Sequence, residues 1–219
     1  IREKKTDVKK VVNDAIISLN WGIGKRLSAE FSVHNSLAAV AVADQMHVGV
    51  TDIQTILKEV KVRGRVEMIP ISDAFTLMID YAHNAMSLKN ILETMRRYHP
   101  RQLWVLFGCG GGRSAARRRE MGRVAGKYAD FTVITSDNPR YEEPERIMQT
   151  IEEGMKETKG QYQMMVDRKE AMRFMLAQGR PGDILILAGK GHEQYQEIKG
   201  DYLPFNERKI AQEILADLD

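Results

Sequence analysis

The sequence predicts an α/β fold: a Rossmann-like, doubly wound, mostly parallel sheet preceded by a small, largely helical N-terminal portion. Three observations lead there. Apolar runs at 74–82, 102–107, 131–135, 162–166 and 183–188 alternate with stretches of helical period, the rhythm of strand–helix–strand units. The run "QLWVLF" lacks polar alternation, as a strand covered on both faces does. Loops rich in Gly, His, Arg, Asn and Glu follow four of the five runs, while the opposite ends carry plain connectors such as "HPRQ" and "GRPGD".

The elements follow in order. Residues 1–30 show no period or cap that assigns them. From Phe31, an Ala-rich stretch is expected to form a helix capped at Asn35 or Ser36 and stopped at Gly49. A second helix is expected from Thr51, with Ile53, Ile56, Leu57 and Val60 on one face. The first strand, 74–82, leads to a helix with Leu88, Ile91, Leu92 and Met95 in one stripe. The second strand leads to a helix over 114–128 carrying Met121, Val124, Ala125 and Tyr128. Strand 131–135 precedes a helix opened by Pro144, with Ile147, Met148 and Ile151 inward. Strand 162–166, helix 168–178 and strand 183–188 complete the alternation.

Composition excludes several classes. The chain has 219 residues, with 33 Lys and Arg against 30 Asp and Glu; a net charge of +3 does not call for nucleic acid or an anionic membrane. Cys109 is the single cysteine, which rules out an internal disulfide and suits a reducing compartment. No apolar run approaches the ~20 residues of a membrane-spanning helix, so a cytoplasmic protein without an obligate protein partner is expected. The chain begins at Ile1, which fits a processed chain or a piece of a longer one.

In an open parallel sheet, ligands bind beyond the carboxyl ends of the strands. The loops there are "DYAHNA" (80–85), "GCGGGR" (108–113), "SDNPR" (136–140) and "GKGHEQY" (189–195). Each has a plain reading taken singly: a tight glycine turn, an Asx turn at Asp137–Asn138, and satisfied histidines at His83 and His192. Arg117, Arg118, Arg119 and Arg123 read as a solvated helix face. Together the loops point to one pocket. Arg113 and Arg140 offer planar donor forks for carboxylate, and Glu193 an acceptor for ammonium, so a ligand carrying both groups suits the rim.

The segments "DYAHNAMSL", "FGCGGGR", "TSDNPRYEEPERI", "GDILILAGKGHEQYQ" and "FNER" (205–208) together resemble the C-terminal domain of Mur ligases, most closely the diaminopimelate-adding branch. The resemblance runs from about residue 31 to 219, and "FSVHNSLAA" and "RGRVE" are similar to the end of that family's central ATPase domain. It implies two domains: 1–70, a remnant of the ATPase domain, and 71–219, the amino-acid-binding domain. It implies ATP-dependent amide formation, adding meso-diaminopimelate to the UDP-N-acetylmuramoyl dipeptide in peptidoglycan synthesis, with ATP and magnesium used by the full-length enzyme. Arg140 would pair with the side-chain carboxylate that separates diaminopimelate from lysine, with Asp137 and Asn138 beside it. Arg113 would hold carboxylate too. Gly189 through its carbonyl and Glu193 through its carboxylate would take the distal ammonium, with His192 also among the substrate-binding residues. Asn35 would lie against adenine, Arg65 near the phosphates, and Asp80 and His83 on the nucleotide side.

The chain departs from the family pattern in three places. No G-x-x-x-x-G-K-[ST] loop occurs, and "WGIGKRLS" lacks the spacing, so no catalytic or metal-binding residue and no turnover are expected from this polypeptide alone. Asn84, Ala85 and Met86 replace Thr-Pro-Asp after the histidine, and no acid precedes Arg113. These losses leave open a related ligase for another amino acid or a folylpolyglutamate-type substrate. A non-catalytic nucleotide-binding module is the other alternative, but "GCGGGR" puts Arg113 where G-x-G-x-x-G needs its last glycine.

Overall fold

A computed structural model describes residues 30–59, 64–70 and 74–218. The chain divides into two compact units that part between residues 62 and 63.

In the first unit, α1 (Glu30–Gln45) and α2 (Val50–Glu59) bury Val40 and Ile53 against Ala43 and Val50. Helix α1 starts five residues or more before the expected cap, so Asn35 and Ser36 lie within it. The Asn35 side chain and residues 1–29 lie outside the described residues. Gly49 does mark the break between the helices. Ile56, expected on the buried face of α2, is 59 % exposed, and the side chains of Leu57 and Val60 lie outside the described residues.

The second unit is built on one six-stranded sheet: β1 (Glu67–Ile69), β2 (Thr76–Asp80), β3 (Leu103–Phe107), β4 (Phe131–Thr135), β5 (Gln161–Met165) and β6 (Ile184–Ala188). Its order is β1-β2-β6-β3-β4-β5, parallel except for β1, which runs antiparallel to β2. The expected α/β class and parallel sheet are therefore present, with one strand more than the apolar runs marked. β1 pairs Glu67 with Ile79 and Ile69 with Leu77. That pairing puts residues 67–69 in the sheet of the second unit.

Helices α3 (Ala85–Arg96), α4 (Ala115–Tyr128) and α5 (Pro144–Lys156) lie side by side, and α6 (Arg168–Gln178) packs with α7 (Glu207–Leu218). The pleat sends alternate residues to opposite faces. Leu77, Ile79, Trp104, Leu106, Val133, Leu185 and Leu187 join Met172, Met175, Ala211 and Ile214 in the core under α6 and α7. Met78, Val105, Phe107, Ile134 and Ile186 take the other face, and the stripes Leu88–Met95, Met121–Ala125 and Ile147–Met155 are buried as the periodicity predicts. A hairpin, β7 (Tyr195–Ile198) with β8 (Asp201–Pro204), turns at Lys199–Gly200, both in the left-handed region as a two-residue hairpin turn requires.

Helices α4 and α5 touch at backbone distance. A Cβ on Gly154 would lie 1.9 Å from the Arg119 carbonyl oxygen, and one on Gly122 2.0 Å from that of Ile151. Gly154→Ala is expected to cost about 1–3 kcal/mol by forcing the helices apart. Urea unfolding checks it, and unchanged stability would mean the crossing has room to spare.

Candidate amino-acid-binding site

Insertion of β6 between β2 and β3 sets its exit loop beside theirs, with the β4 exit next in line. This is the switch point at which an open sheet leaves a crevice.

The β3 and β4 exits are locked together. The Gly111 N–H donates to the Asn138 carbonyl at 2.8 Å. Gly111 is glycine because the loops nearly touch: a Cβ there would lie 2.0 Å from the Pro139 oxygen. From the far side, Glu142 accepts the Gly112 N–H at 2.5 Å and both terminal nitrogens of Arg118 at 2.8 and 2.9 Å. Arg118 also donates to the Gly110 carbonyl at 3.3 Å and is buried, so it does not belong to a solvated face. Two other arginines of that helix are paired across to α5 and its C-cap, Arg119 with Glu153 and Arg123 with Glu157.

The Arg118 guanidinium and the Gly112 N–H hold the Glu142 carboxyl down at about 2. Its stabilising effect is thus complete above the ordinary glutamate value of 4.5 and fades as pH falls toward 2. Glu142 is more than a third exposed, so solvent screening limits the contribution to about 1 kcal/mol. Glu142→Gln is expected to flatten acid unfolding between those two pH values. An unchanged acid limb would remove the clamp's role.

At the centre lies a residue that the sequence reading passed over. Lys190 is fully buried, and its Nζ donates to Asn138 Oδ1 at 2.9 Å, Asp137 Oδ1 at 3.2 Å and Glu193 Oε2 at 3.3 Å. Asn138 Nδ2 donates to the same Glu193 oxygen at 2.9 Å, and Asn138 Oδ1 also accepts the Glu197 N–H at 3.1 Å. Glu193 Oε1 takes no donor among the described residues. Gly189, at φ 106°, turns the chain here and donates its N–H to the Asp80 carbonyl at 3.1 Å.

Arg140 is held by the hairpin. Its N–H donates to the Glu197 carbonyl, and its own carbonyl accepts the Lys199 N–H at 2.7 Å. The backbone is thereby fixed at φ 54°, an uncommon conformation for a non-glycine residue. The guanidinium donates through Nε to Glu197 at 2.9 Å and through Nη1 to the Gly111 carbonyl at 2.6 Å. Of its five N–H donors, three take no partner among the described residues. Its side chain is 34 % exposed.

Arg140, Asn138, Asp137, Gly189 and Glu193 thus lie together on one rim. Arg113 stands exposed just before α4, with no hydrogen bond or ion pair to these or to any other described residue. A second cluster surrounds Tyr81, whose ring lies 4.6 Å from that of His83 and 5.2 Å from that of His192, with the Arg65 guanidinium 5.7 Å away. His192 therefore joins the His83 side. His83 donates Nδ1–H to the Tyr81 carbonyl at 2.8 Å. Asp80, expected near nucleotide, is buried with its oxygens accepting the Val66 and Ala82 N–H groups at 2.8 Å, and burial pushes its carboxyl up. It tethers the turn that carries Arg65 and presents no free oxygen.

Beneath the rim, Arg168 and Glu207 form a buried pair. Arg168 donates to Glu207 Oε1 through Nε at 2.9 Å and Nη2 at 2.7 Å, and to the carbonyls of Ser136 and Ala188 at 3.2 and 2.9 Å. It thereby ties the ends of β4 and β6 together. Burial pushes the Glu207 carboxyl up, and Arg168 and Lys190 pull against it. Cys109 is no nucleophile: burial pushes its thiol to about 12, and it rests 3.5 Å from Met121 sulfur. Neither Lys190 nor Arg168 stood out in sequence, since all their partners but Glu193 lie 20 to 53 positions away; the flanking glycines of "GKG" were the available hint.

The profile described as "Mur ligase, glutamate ligase domain" matches residues 64–191, more than half of the chain. The chain belongs to the Mur ligase family. It is 44 % identical over 195 residues to the UDP-N-acetylmuramoyl-L-alanyl-D-glutamate–2,6-diaminopimelate ligase of Caldanaerobacter subterraneus subsp. tengcongensis, covering 89 % of this chain and 40 % of that protein. A solved structure of a ligase of the same description superposes with a TM-score of 0.68 at 34 % identity, over 87 % of this chain and 39 % of the other. A pseudomurein peptide ligase type C from Methanothermus fervidus shares the fold at 20 % identity, with a TM-score of 0.62 over 88 % of this chain and 36 % of that one. The chain spans about two fifths of the length of the curated relatives it matches. Among the described residues, no helix is long and apolar enough to cross a membrane.

Proposed function

We propose that this chain is the amino-acid-binding part of an ATP-dependent Mur ligase that joins meso-diaminopimelate to the UDP-N-acetylmuramoyl dipeptide in the cytoplasm. The observation that carries the reading is the pairing on one rim of an Arg140 guanidinium with three open N–H donors and a Glu193 carboxylate with one open oxygen. A carboxylate lies on the first as a two-point fork, and an ammonium on the second. The names of relatives 40–44 % identical support diaminopimelate, which carries both groups at the end remote from its reacting amine.

The chain's part in the reaction is placement. With the distal end gripped, the other amine is held toward the peptide carboxylate, and the gain comes from orientation and from paired charge. Arg113, unpartnered on the neighbouring loop, is assigned to a ligand carboxylate. ATP, when bound, supplies the phosphoryl group that activates the peptide carboxylate. Arg65 and His83 are the residues of the sheet unit assigned to its side, with Asp80 holding the turn that carries Arg65. The sequence has no phosphate loop, so phosphate binding and magnesium are assigned to the part of the ligase that this chain does not span.

Calorimetric titration of meso-diaminopimelate, L-lysine and NAD into the 219-residue chain tests the proposal. Weak binding of meso-diaminopimelate in preference to the others is expected. Preference for lysine would favour another amino-acid ligase, and preference for NAD a nucleotide-binding module.

A further inference from the structure

We infer that Lys190 is a positioning residue for substrate selection: its buried ammonium fixes the distance and orientation between the Arg140 and Glu193 sites. The inference rests on the reading above that Glu193 receives a ligand ammonium. Glutamate on a loop has several rotamers, and an acceptor that wanders selects nothing. Here Oε2 is drawn inward by Lys190 Nζ and Asn138 Nδ2, and Oε1 alone is left for a ligand. The same ammonium holds Asp137 and Asn138, whose chain continues through Pro139 into Arg140. Lys190 therefore sets Glu193 against that loop, while Arg140 itself is held independently by Glu197 and Lys199 of the hairpin.

Charge gives the second argument. Without Lys190, Asp137 and Glu193 would face each other as like charges with no cation between them, and their repulsion would drive Glu193 from its place. With Lys190 between them, each carboxylate has a counter-charge, at 3.2 Å for Asp137 and 3.3 Å for Glu193. The Tyr195 ring, its centroid 5.9 Å from Nζ, closes the remaining side. A lysine with three oxygen acceptors and no exposed surface has no contact of its own to offer a ligand, so it acts through Glu193.

The test compares meso-diaminopimelate with 2-aminopimelate, which keeps both carboxylates but lacks the distal amine, in titrations of the 219-residue chain. The wild type is expected to favour meso-diaminopimelate by about tenfold or more, the value of one charged hydrogen bond. Lys190→Met is expected to erase that preference by weakening meso-diaminopimelate alone. Glu193→Gln should do the same, and adding Lys190→Met to it should cost nothing further. A Lys190→Met protein that discriminates as the wild type does, or that loses both ligands equally, overturns the inference. A wild type that binds both ligands equally overturns the Glu193 reading beneath it. Should the variant not fold, the ¹⁵N resonance of Lys190 Nζ in wild-type protein serves instead. It is expected to shift with meso-diaminopimelate and not with 2-aminopimelate, and equal shifts, or none, contradict the inference.

Discussion

Arg168→Ala is expected to destabilise the sheet unit by about 3–5 kcal/mol, read as a lower midpoint in urea unfolding. The cost comes from what is left behind. Glu207, 2 % exposed, would lose its hydrogen-bonded counter-charge, and the Ser136 and Ala188 carbonyls would each lose a donor. The guanidinium also bridges β4 and β6, whose exits carry the rim, so the loss falls under the site. Replacing both partners with apolar residues, Arg168→Met with Glu207→Leu, is expected to recover most of the stability, because a buried pair costs nearly as much to desolvate as it returns. If Arg168→Ala unfolds at the wild-type midpoint, the pair contributes nothing and the architecture beneath the rim is misassigned.

Arg140→Ala is expected to weaken meso-diaminopimelate binding by about 2–5 kcal/mol while leaving L-lysine nearly unaffected. The selectivity follows from the chemistry: lysine lacks the carboxylate that the guanidinium is proposed to receive. Part of the loss is structural, since Glu197 would be left 18 % exposed without its partner. Arg140→Lys separates the two contributions. It keeps a cation near Glu197 but loses the planar fork, so it is expected to bind meso-diaminopimelate more weakly than wild type and better than alanine. Calorimetry on the three proteins with both ligands decides it; equal losses for lysine and diaminopimelate would mean that Arg140 acts on the fold alone.

The parallel strands and the helices between them were legible because each buries a face with its own period. Strand 131–135 and helix 168–178 fall where the pattern sets them. What pattern could not reach were elements with little to bury. β1 has three residues, and all four residues of β8 are exposed, so neither shows an apolar signature. The hairpin mattered most, because Glu197 and Lys199 fix Arg140, and only the glycine at its turn announced it. Helix α7 escaped although Ala211 and Ile214 form its buried stripe; "FNER" was read as a motif and not as a helix start.

The rim was legible where loops shared a sheet edge: the convergence of the β3, β4 and β6 exits follows from topology once the strands are parallel. The partners inside it were not. Lys190, Arg118 and Arg168 are cations whose acceptors lie on other elements, and a charged residue in sequence shows its type but not its burial. Arg113 is the reverse case, prominent at a glycine junction yet without a hydrogen bond or ion pair among the described residues.

The central claim is that one end of an amino acid lies between Arg140 and Glu193. A crystal structure of the chain soaked with meso-diaminopimelate tests it most directly. A ligand carboxylate within about 3 Å of the Arg140 terminal nitrogens, with an ammonium equally close to Glu193 Oε1, is the expected result. A ligand seated instead at the Tyr81, His83 and His192 cluster, or with its ammonium away from Glu193, would contradict it.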